Sequence, residues 1–408
     1  MQKLLLLIFD IFIFEECIGR VFSPIRYFDE ILVIIMAICA IFTISFRRNR
    51  LKSLNNYDFK MILGLFVFLI LGTISTFIFN KNFKLTIGMF KDILAVAKPF
   101  VNFIFFIIVF KNVNKDSLLN KTSKRCEIYI SVIFIFCILN LFFNIGMDHG
   151  KRLGIKVFTF LYPHPTYLVF SIVIMLTILI ASNKKNKNIY IFLGMLILLS
   201  TFRSKALIFV LAYILINIYY QYTEKFKLKY FIIIGIVGVI LTWGKVEDYF
   251  IHGLYAARPA LYIIAVKIMI DYFPFGTGFC SFGSSLSGKY YSSVYYKYQI
   301  SNVAGLQVNN YAYMADSFWP YVLGQFGLSG LITYVIMLIE LYKSLKTRYY
   351  GMRSKLKAID ILIFYLLFAS TAEAIFIDVT GQFAFIILAV FLGDYYKKEN
   401  LNNNERKK

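Results

Sequence analysis

The chain has 408 residues, of which 59% are hydrophobic and only 16% are charged, and its mean hydropathy is +0.69. Soluble proteins carry charge on about a quarter of their residues, so this composition excludes a soluble protein and predicts an integral membrane protein. The net charge of +22 does not indicate nucleic-acid binding, because most Lys and Arg lie in short segments between apolar stretches, as in cytoplasmic membrane loops.

Apolar stretches recur along the whole sequence, and a membrane-spanning helix needs about 20 residues. The fold class predicted is therefore an all-α polytopic membrane protein with about 12 transmembrane helices and one large external loop. Residues 1–408 form a single integral membrane domain, and residues 244–317 form the loop, which contains short helices. The predicted spans are 4–18, 31–46, 61–79, 89–110, 127–143, 167–182, 189–200, 206–220, 230–243, 318–341, 359–376 and 382–392.

The basic connectors set the predicted orientation. If the N-terminus is cytoplasmic, every connector rich in Lys and Arg falls on the cytoplasmic side, as the positive-inside rule requires. Both termini are then cytoplasmic, and the loop at 244–317 lies on the outer face of the membrane. The basic connectors are 47–52, 111–126, 183–188, 223–229, 343–357 and 397–408.

Four basic residues on the predicted outer side run against this rule and are candidates for function. Arg152 precedes the sixth span, Arg203 and Lys205 lie in the short turn between the seventh and eighth, and Arg258 lies in the large loop. Arginine forms bidentate hydrogen bonds with phosphate, and ionisable groups at membrane depth usually face a polar cavity. Together they predict a pyrophosphate site. The alternative is that each side chain only reaches the lipid headgroups.

Other ionisable residues have two open interpretations each. Lys91 and Lys98 are two helical turns apart on the fourth span, and predict either a substrate channel or a structural ion pair. His164, between two prolines, is a candidate general base or a polar helix cap. Asp316 precedes the tenth span and is a candidate acid–base group or an N-cap.

The large loop offers aromatic and glycine-rich segments. Tyr295 belongs to a tyrosine-rich run that suits either sugar stacking or anchoring at the membrane surface. Gly276 and Gly278 mark a turn that is a weak candidate for a phosphate cradle. Glu373 and Asp378, at the outer end of the eleventh span, are further carboxylate candidates. Scattered cysteines and the absence of HExxH, Walker or DxD motifs predict no metal and no cofactor.

Four motifs, in this order, resemble those of the bacterial Wzy-type polysaccharide polymerases and the related O-antigen ligases. They are RLG at 152–154 before PHP at 163–165, LLSTFRSKA at 198–206, Arg258 followed by FPFGTG at 273–278, and DSFW at 316–319 followed by GLSG at 327–330. The chain departs from the family at His164 and Ser317, where asparagine is usual. Asp316, where ligases often carry histidine, favours a polymerase.

The resemblance implies a GT-C-like helical fold and a glycosyltransferase at the outer face of the bacterial cytoplasmic membrane. Such an enzyme moves a glycan from undecaprenyl pyrophosphate to a sugar hydroxyl of a second lipid-linked repeat unit, without nucleotide or metal. Arg152, Arg203 and Arg258, with Lys205, would bind the pyrophosphate, and His164 or Asp316 would be the base.

The implied partners are the undecaprenyl-pyrophosphate-linked oligosaccharide, the lipid bilayer, a chain-length regulator and a flippase, with no nucleic acid. Lys91, Lys98, Tyr295 and Glu373 are expected to contact the channel or the sugars. An O-antigen-type ligase, which differs in its acceptor, is one alternative. A flippase or transporter of lipid-linked oligosaccharides is the alternative from another class.

Overall fold

The computed structural model describes residues 1–46, 48–79, 87–143, 145–152, 154–222, 243, 247 and 255–394. The helices are α1 Gln2–Ile18, α2 Phe28–Phe46, α3 Asn56–Phe79, α4 Ile87–Val109, α5 Lys115–Phe143, α6 Pro165–Ala181, α7 Lys187–Ser200, α8 Ser204–Tyr222, α9 Ala257–Asp271, α10 Ser285–Lys289, α11 Ser293–Lys297, α12 Phe318–Arg348, α13 Arg353–Ala369 and α14 Val379–Ile386. Helix α14 continues as a π-helical turn over Ile387–Phe391, and 3₁₀ turns cover Ser23–Tyr27, Arg48–Ser53 and Ile300–Asn302.

Six described helical segments are long and apolar enough to cross a membrane, so the chain is a helical membrane protein. They are Ser23–Phe46, Asn56–Phe79, Ile87–Val109, Lys115–Phe143, Ser204–Tyr222 and Phe318–Arg348. Shorter apolar helices pack among them. Helix α6 is apolar all round and consequently lies inside the bundle, in contact with α5, α7 and α13.

Each predicted span within the described residues coincides with a helix, and three details differ. Helix α5 begins at Lys115, because the connector before the predicted span buries its apolar face. Helix α13 ends at Ala369, so the outer end of the predicted eleventh span is a loop. The strict all-α expectation is also wrong locally, since β1 (Asp148–Arg152) and β2 (Ile155–Phe158) form an antiparallel hairpin.

Some sequence predictions lie outside the described residues. These include the ninth span except for residue 243, nearly all of the loop segment 244–254, and Leu153 of the RLG motif. The same applies to residue 47, to the basic connector 223–229 and to the basic tail 397–408.

A glycine-rich segment, residues 273–284, packs against α3 and a break in α12. Helix α12 is interrupted at Gly327, whose φ of 61° and ψ of −158° are not helical. The N–H of Gly278 donates to the carbonyl of Gln325 at 2.7 Å, and the N–H of Phe279 donates to Thr76 Oγ1 at 2.8 Å. Non-helical backbone beside membrane helices requires such partners. These bonds occupy the segment, so the phosphate cradle considered for Gly276 and Gly278 is corrected to a packing role.

We expect Gly278→Ala to destabilise the protein much more than Gly351→Ala. Both glycines have positive φ, 86° and 79°, so both substitutions strain the backbone by about 1 kcal/mol. A Cβ on Gly278 would lie 2.4 Å from the Thr76 Cα, whereas one on Gly351 meets nothing within 4 Å. The clash adds roughly 1–3 kcal/mol or more. Thermal unfolding in detergent measures the difference, and equal melting temperatures for the two variants would contradict this packing.

The large loop has a hydrophobic core of its own. Apolar residues of α9 pack against α12 and against Phe282, Tyr295 and Leu306. Tyr295 is fully buried, and its hydroxyl accepts from the Gly283 N–H at 2.9 Å and lies 2.6 Å from Ser287 Oγ. Tyr295 is therefore a core residue with no ring surface to offer a sugar. Helix α9 packs its apolar face on protein.

Candidate functional site

His164, Arg203 and Arg152 meet at one end of the bundle, although they come from three separate segments. His164 caps the N-terminus of α6 in an extended conformation, as its flanking prolines predict. Arg203 follows Phe202, a non-glycine residue with a positive φ of 45°. Arg203 Nη2 lies 2.8 Å from His164 Nε2, and Arg152 Nη1 donates to the carbonyl of Phe202 at 3.1 Å. The β-hairpin and the α7–α8 turn thus bring both guanidinium groups to the histidine.

The Arg203 contact determines the chemistry of His164. The ring faces two N–H donors, Arg203 at Nε2 and, at 3.3 Å from Nδ1, the capping Thr166. A guanidinium has no acceptor, so Nε2 is the bare nitrogen of the neutral ring, and the longer contact with Thr166 is the weaker of the two. Burial and, second to it, the neighbouring Arg203 charge lower the pKa of His164 to about 4. The ring is therefore neutral at pH 7, with its lone pair directed at Arg203. This arrangement favours a positioning role over that of a free base.

Lys205 and Glu373 form an ion pair beside this group. The Lys205 Nζ lies 2.5 Å from Glu373 Oε1, and the Lys205 side chain is 8% exposed. Glu373 belongs to the loop between α13 and α14, residues 370–378, which we call the α13–α14 loop. A pair this close and this buried fixes the position of both groups. Glu373 is thus held in the site by α8.

Arg258 and Asp316 join the two ends of the described large loop. Arg258 Nη2 donates to Asp316 Oδ2 at 3.2 Å and to the carbonyl of Ala372, in the α13–α14 loop, at 3.3 Å. Burial raises the pKa of Asp316 above its ordinary value, although Arg258 opposes the shift. The N-cap of α12 is Ser317 and not Asp316, so the capping interpretation of Asp316 does not apply.

The α13–α14 loop connects these groups, and sequence reasoning did not identify it as the centre. Tyr262 donates to the carbonyl of Thr371 at 2.8 Å. The Phe318 N–H donates to the carbonyl of Ser370 at 3.1 Å, and Trp319 Nε1 donates to Ser370 Oγ at 2.9 Å. The only signal for this loop in the sequence was the pair of carboxylates, Glu373 and Asp378, at the end of an apolar stretch.

The resulting site is rich in positive charge. Four cations, Arg152, Arg203, Lys205 and Arg258, here called the cationic cluster, surround the carboxylates of Glu373 and Asp316. Burial lowers the pKa of Arg203 from its ordinary value, and Arg152 lowers it further, but a guanidinium remains charged at pH 7. Within the part of the chain that the structure describes, Arg203 Nε is buried without a hydrogen-bond partner. The site can therefore accept an anion.

The ion pairs of Lys98, in the fourth span, are with α2 and not with a carboxylate beside the cationic cluster. Lys98 is 7% exposed and forms a buried ion pair with Asp29 of α2, with Glu30 3.7 Å away. Lys91, two turns earlier, is exposed. The structural ion pair considered for Lys98 is therefore the interpretation that its contacts favour.

Among the described residues, no group of three or more His, Cys, Asp and Glu side chains is arranged to hold a metal ion. No protein-family model and no curated protein sequence matches this chain.

Proposed function

We propose that the protein is a polysaccharide polymerase of the Wzy type, acting on O-antigen or capsule repeat units. It transfers a glycan from undecaprenyl pyrophosphate to a sugar hydroxyl of a second lipid-linked repeat unit. One observation carries the proposal: the four residues of the cationic cluster come from three separate segments of the chain and meet at one end of the helical bundle. A cluster of cations at the end of an apolar bundle suits an anionic headgroup on a lipid.

The chemistry of the donor fits this cluster. Pyrophosphate is a good leaving group, so the negative charge that develops on it is what an enzyme has to stabilise. Arg203 is the central contact because its Nε donor is buried without a partner among the described residues. Arg152 and Arg258 would bind the remaining phosphate oxygens, and Lys205 would add charge. The ion pairs with Glu373 and Asp316 keep the cations in place before the substrate arrives.

The proposal places the protein in the bacterial cytoplasmic membrane with twelve spans and both termini in the cytoplasm. Residues 244–317 and the cationic cluster then lie on the outer face, where lipid-linked repeat units arrive from a flippase. A chain-length regulator is a further expected partner. Neither a nucleotide nor a metal is required, because the lipid pyrophosphate already activates the donor sugar.

A transporter of lipid-linked oligosaccharides is the second candidate, and one observation favours it. Helix α12 is broken at Gly327 beside the non-helical segment 273–284, and discontinuous helices are typical of transporter binding sites. The backbone groups at this break are, however, bonded to α3 and to the segment itself. A fixed cluster of cations suits a polymerase or the closely related ligase better than a transporter.

The products formed by the purified protein distinguish the three functions. Protein in detergent would be mixed with one lipid-pyrophosphate-linked repeat unit, without nucleotide or metal, and the products separated by length. We expect a ladder of lengthening lipid-linked chains. A single transfer that occurs only after a different acceptor is added would indicate a ligase. An unchanged substrate would contradict the proposal.

Two substitutions at His164 distinguish a positioning residue from a base. In His164→Gln the amide oxygen can replace Nε2 as the acceptor for Arg203, whereas in His164→Asn it can replace only Nδ1. If His164 positions Arg203, we expect the glutamine variant to stay within about tenfold of the wild-type rate. The asparagine variant is expected to lose roughly 10–100-fold, the value of one charge-assisted hydrogen bond. Equal losses of about 10²-fold or more in both variants would instead indicate a base.

A further inference from the structure

The carboxylates and the histidine nearest the cationic cluster are already engaged. His164 directs its lone pair at Arg203, and Glu373 is ion-paired with Lys205. Asp316 is ion-paired with Arg258. A group whose lone pairs are held by a cation is a poor acceptor for a proton. If an acceptor hydroxyl is to be deprotonated in this site, another group has to take the proton.

Asp378 is a carboxylate of the α13–α14 loop that no cation pairs with. It ends the α13–α14 loop, five residues after Glu373, and is the N-cap of α14 without a capping hydrogen bond from its side chain. Within the described parts of the chain, no hydrogen bond or ion pair to its carboxylate is present. Its side chain is accessible to solvent. Asp378 is therefore free to meet a substrate.

The side chain of Asp378 is exposed, and the groups around it shift its pKa. Desolvation by the surrounding protein and then the charge of Glu373, with smaller effects of Asp29 of α2 and Glu16 of α1, raise the pKa of Asp378 to about 7, against the opposing charge of Lys98 of α4. A carboxylate whose pKa lies near the working pH is suited to proton transfer.

We propose that Asp378 is the general base that accepts the proton of the acceptor sugar hydroxyl. The inference rests on the proposed function and assigns a catalytic residue to it. As the hydroxyl proton moves to the Asp378 carboxylate, the hydroxyl oxygen forms a bond with the anomeric carbon of the donor sugar. The bond between that carbon and the pyrophosphate oxygen breaks, and its electron pair leaves with the pyrophosphate held by the cationic cluster. The proton then passes from Asp378 to solvent.

This role has a pH dependence with a definite sign. The base must be ionised to act, so the rate of bond formation is full above the pKa of Asp378 and falls as the pH drops below it. With a pKa of about 7, the wild-type rate is expected to fall tenfold for each unit well below that value. Binding of undecaprenyl pyrophosphate depends on the cationic cluster. It is therefore not expected to weaken as the rate falls at low pH.

The test compares Asp378→Asn and Asp378→Glu with the wild type as full-length purified proteins. Bond formation would be measured between about pH 5.5 and 8.5, and binding of undecaprenyl pyrophosphate in the same preparations. We expect the asparagine variant to lose about 10²–10⁴-fold in rate and to bind the lipid within about twofold of the wild type. The glutamate variant is expected to keep part of the rate, and the pH below which its rate falls should differ from that of the wild type.

A rate within about threefold of the wild type for Asp378→Asn would overturn the assignment. The assignment would also be overturned if the rate of Asp378→Glu fell at the same pH as that of the wild type. If the asparagine variant fails to fold, the glutamate variant decides by the same criterion. Failure of the proposed function is distinct, because the wild type itself would then form no bond at any pH.

Discussion

Arg203→Ala is expected to lower the rate of glycosidic-bond formation by about 10²–10³-fold, the usual loss for one preorganised group that stabilises a developing charge. The substitution removes the guanidinium whose Nε is buried without a partner among the described residues, and also its contact with His164. Arg258→Ala is expected to have a comparable effect, because it also frees Asp316. In cells, both variants should make no long-chain polysaccharide while inserting normally into the membrane.

Lys151→Ala is the matched control for these two variants. Lys151 is an exposed cation on the same hairpin as Arg152, so its loss removes the same charge from the same end of the protein. We expect it to keep nearly the wild-type rate, whereas Arg203→Lys keeps the charge but loses the bidentate geometry and should be intermediate. Polysaccharide of normal length from both arginine variants would rule out the proposed role of the cationic cluster.

The second large effect is expected on stability, at the far end of α12. Arg348 forms a buried ion pair with Asp58, which is fully buried. Asp58 also accepts from Ser344 Oγ at 2.6 Å and from the Asn55 N–H at 2.7 Å, and Arg348 Nη1 donates to the carbonyl of Ser53 at 2.9 Å. Asp58→Ala would leave a buried guanidinium without its carboxylate. Removal of one partner from such a pair costs about 3–5 kcal/mol.

The double variant Asp58→Asn/Arg348→Met provides the control for this effect. It removes both charges at once, so we expect it to recover a substantial part of the stability lost by Asp58→Ala. Thermal unfolding of the detergent-solubilised proteins measures both changes. Protein that remains folded should keep its activity, since the pair lies at the opposite end of α12 from Asp316. A melting temperature for Asp58→Ala equal to that of the wild type would contradict the buried pair.

The sequence predicted the helices well because apolar stretches of span length have few alternatives in a membrane. It also indicated Arg152, Arg203, Lys205 and Arg258, since cations on the predicted outer side oppose the charge bias of membrane proteins. The arrangement of these residues around the α13–α14 loop was not accessible. It depends on packing between segments far apart in the chain, as in the ion pair that joins Lys205 to Glu373 across 168 positions.

Other features could not be read from composition for similar reasons. Tyr295 occurs in a run of tyrosines that suits a membrane surface or a sugar, and only the packing of the large loop places its ring in a core. The hairpin around Gly154 is short and polar, without the alternation that predicts strands. Asp378 stood out only as one carboxylate among several, because its freedom from cations is a property of the fold.

The most direct test of the central claim is the stoichiometry of the reaction. Purified protein would be incubated with a lipid-pyrophosphate-linked repeat unit in the absence of nucleotide and metal, and released undecaprenyl pyrophosphate counted against new glycosidic bonds. We predict one molecule of undecaprenyl pyrophosphate released for each bond formed. Intact lipid-linked units that cross the bilayer of reconstituted vesicles, with no pyrophosphate lipid released and no bond formed, would contradict the account.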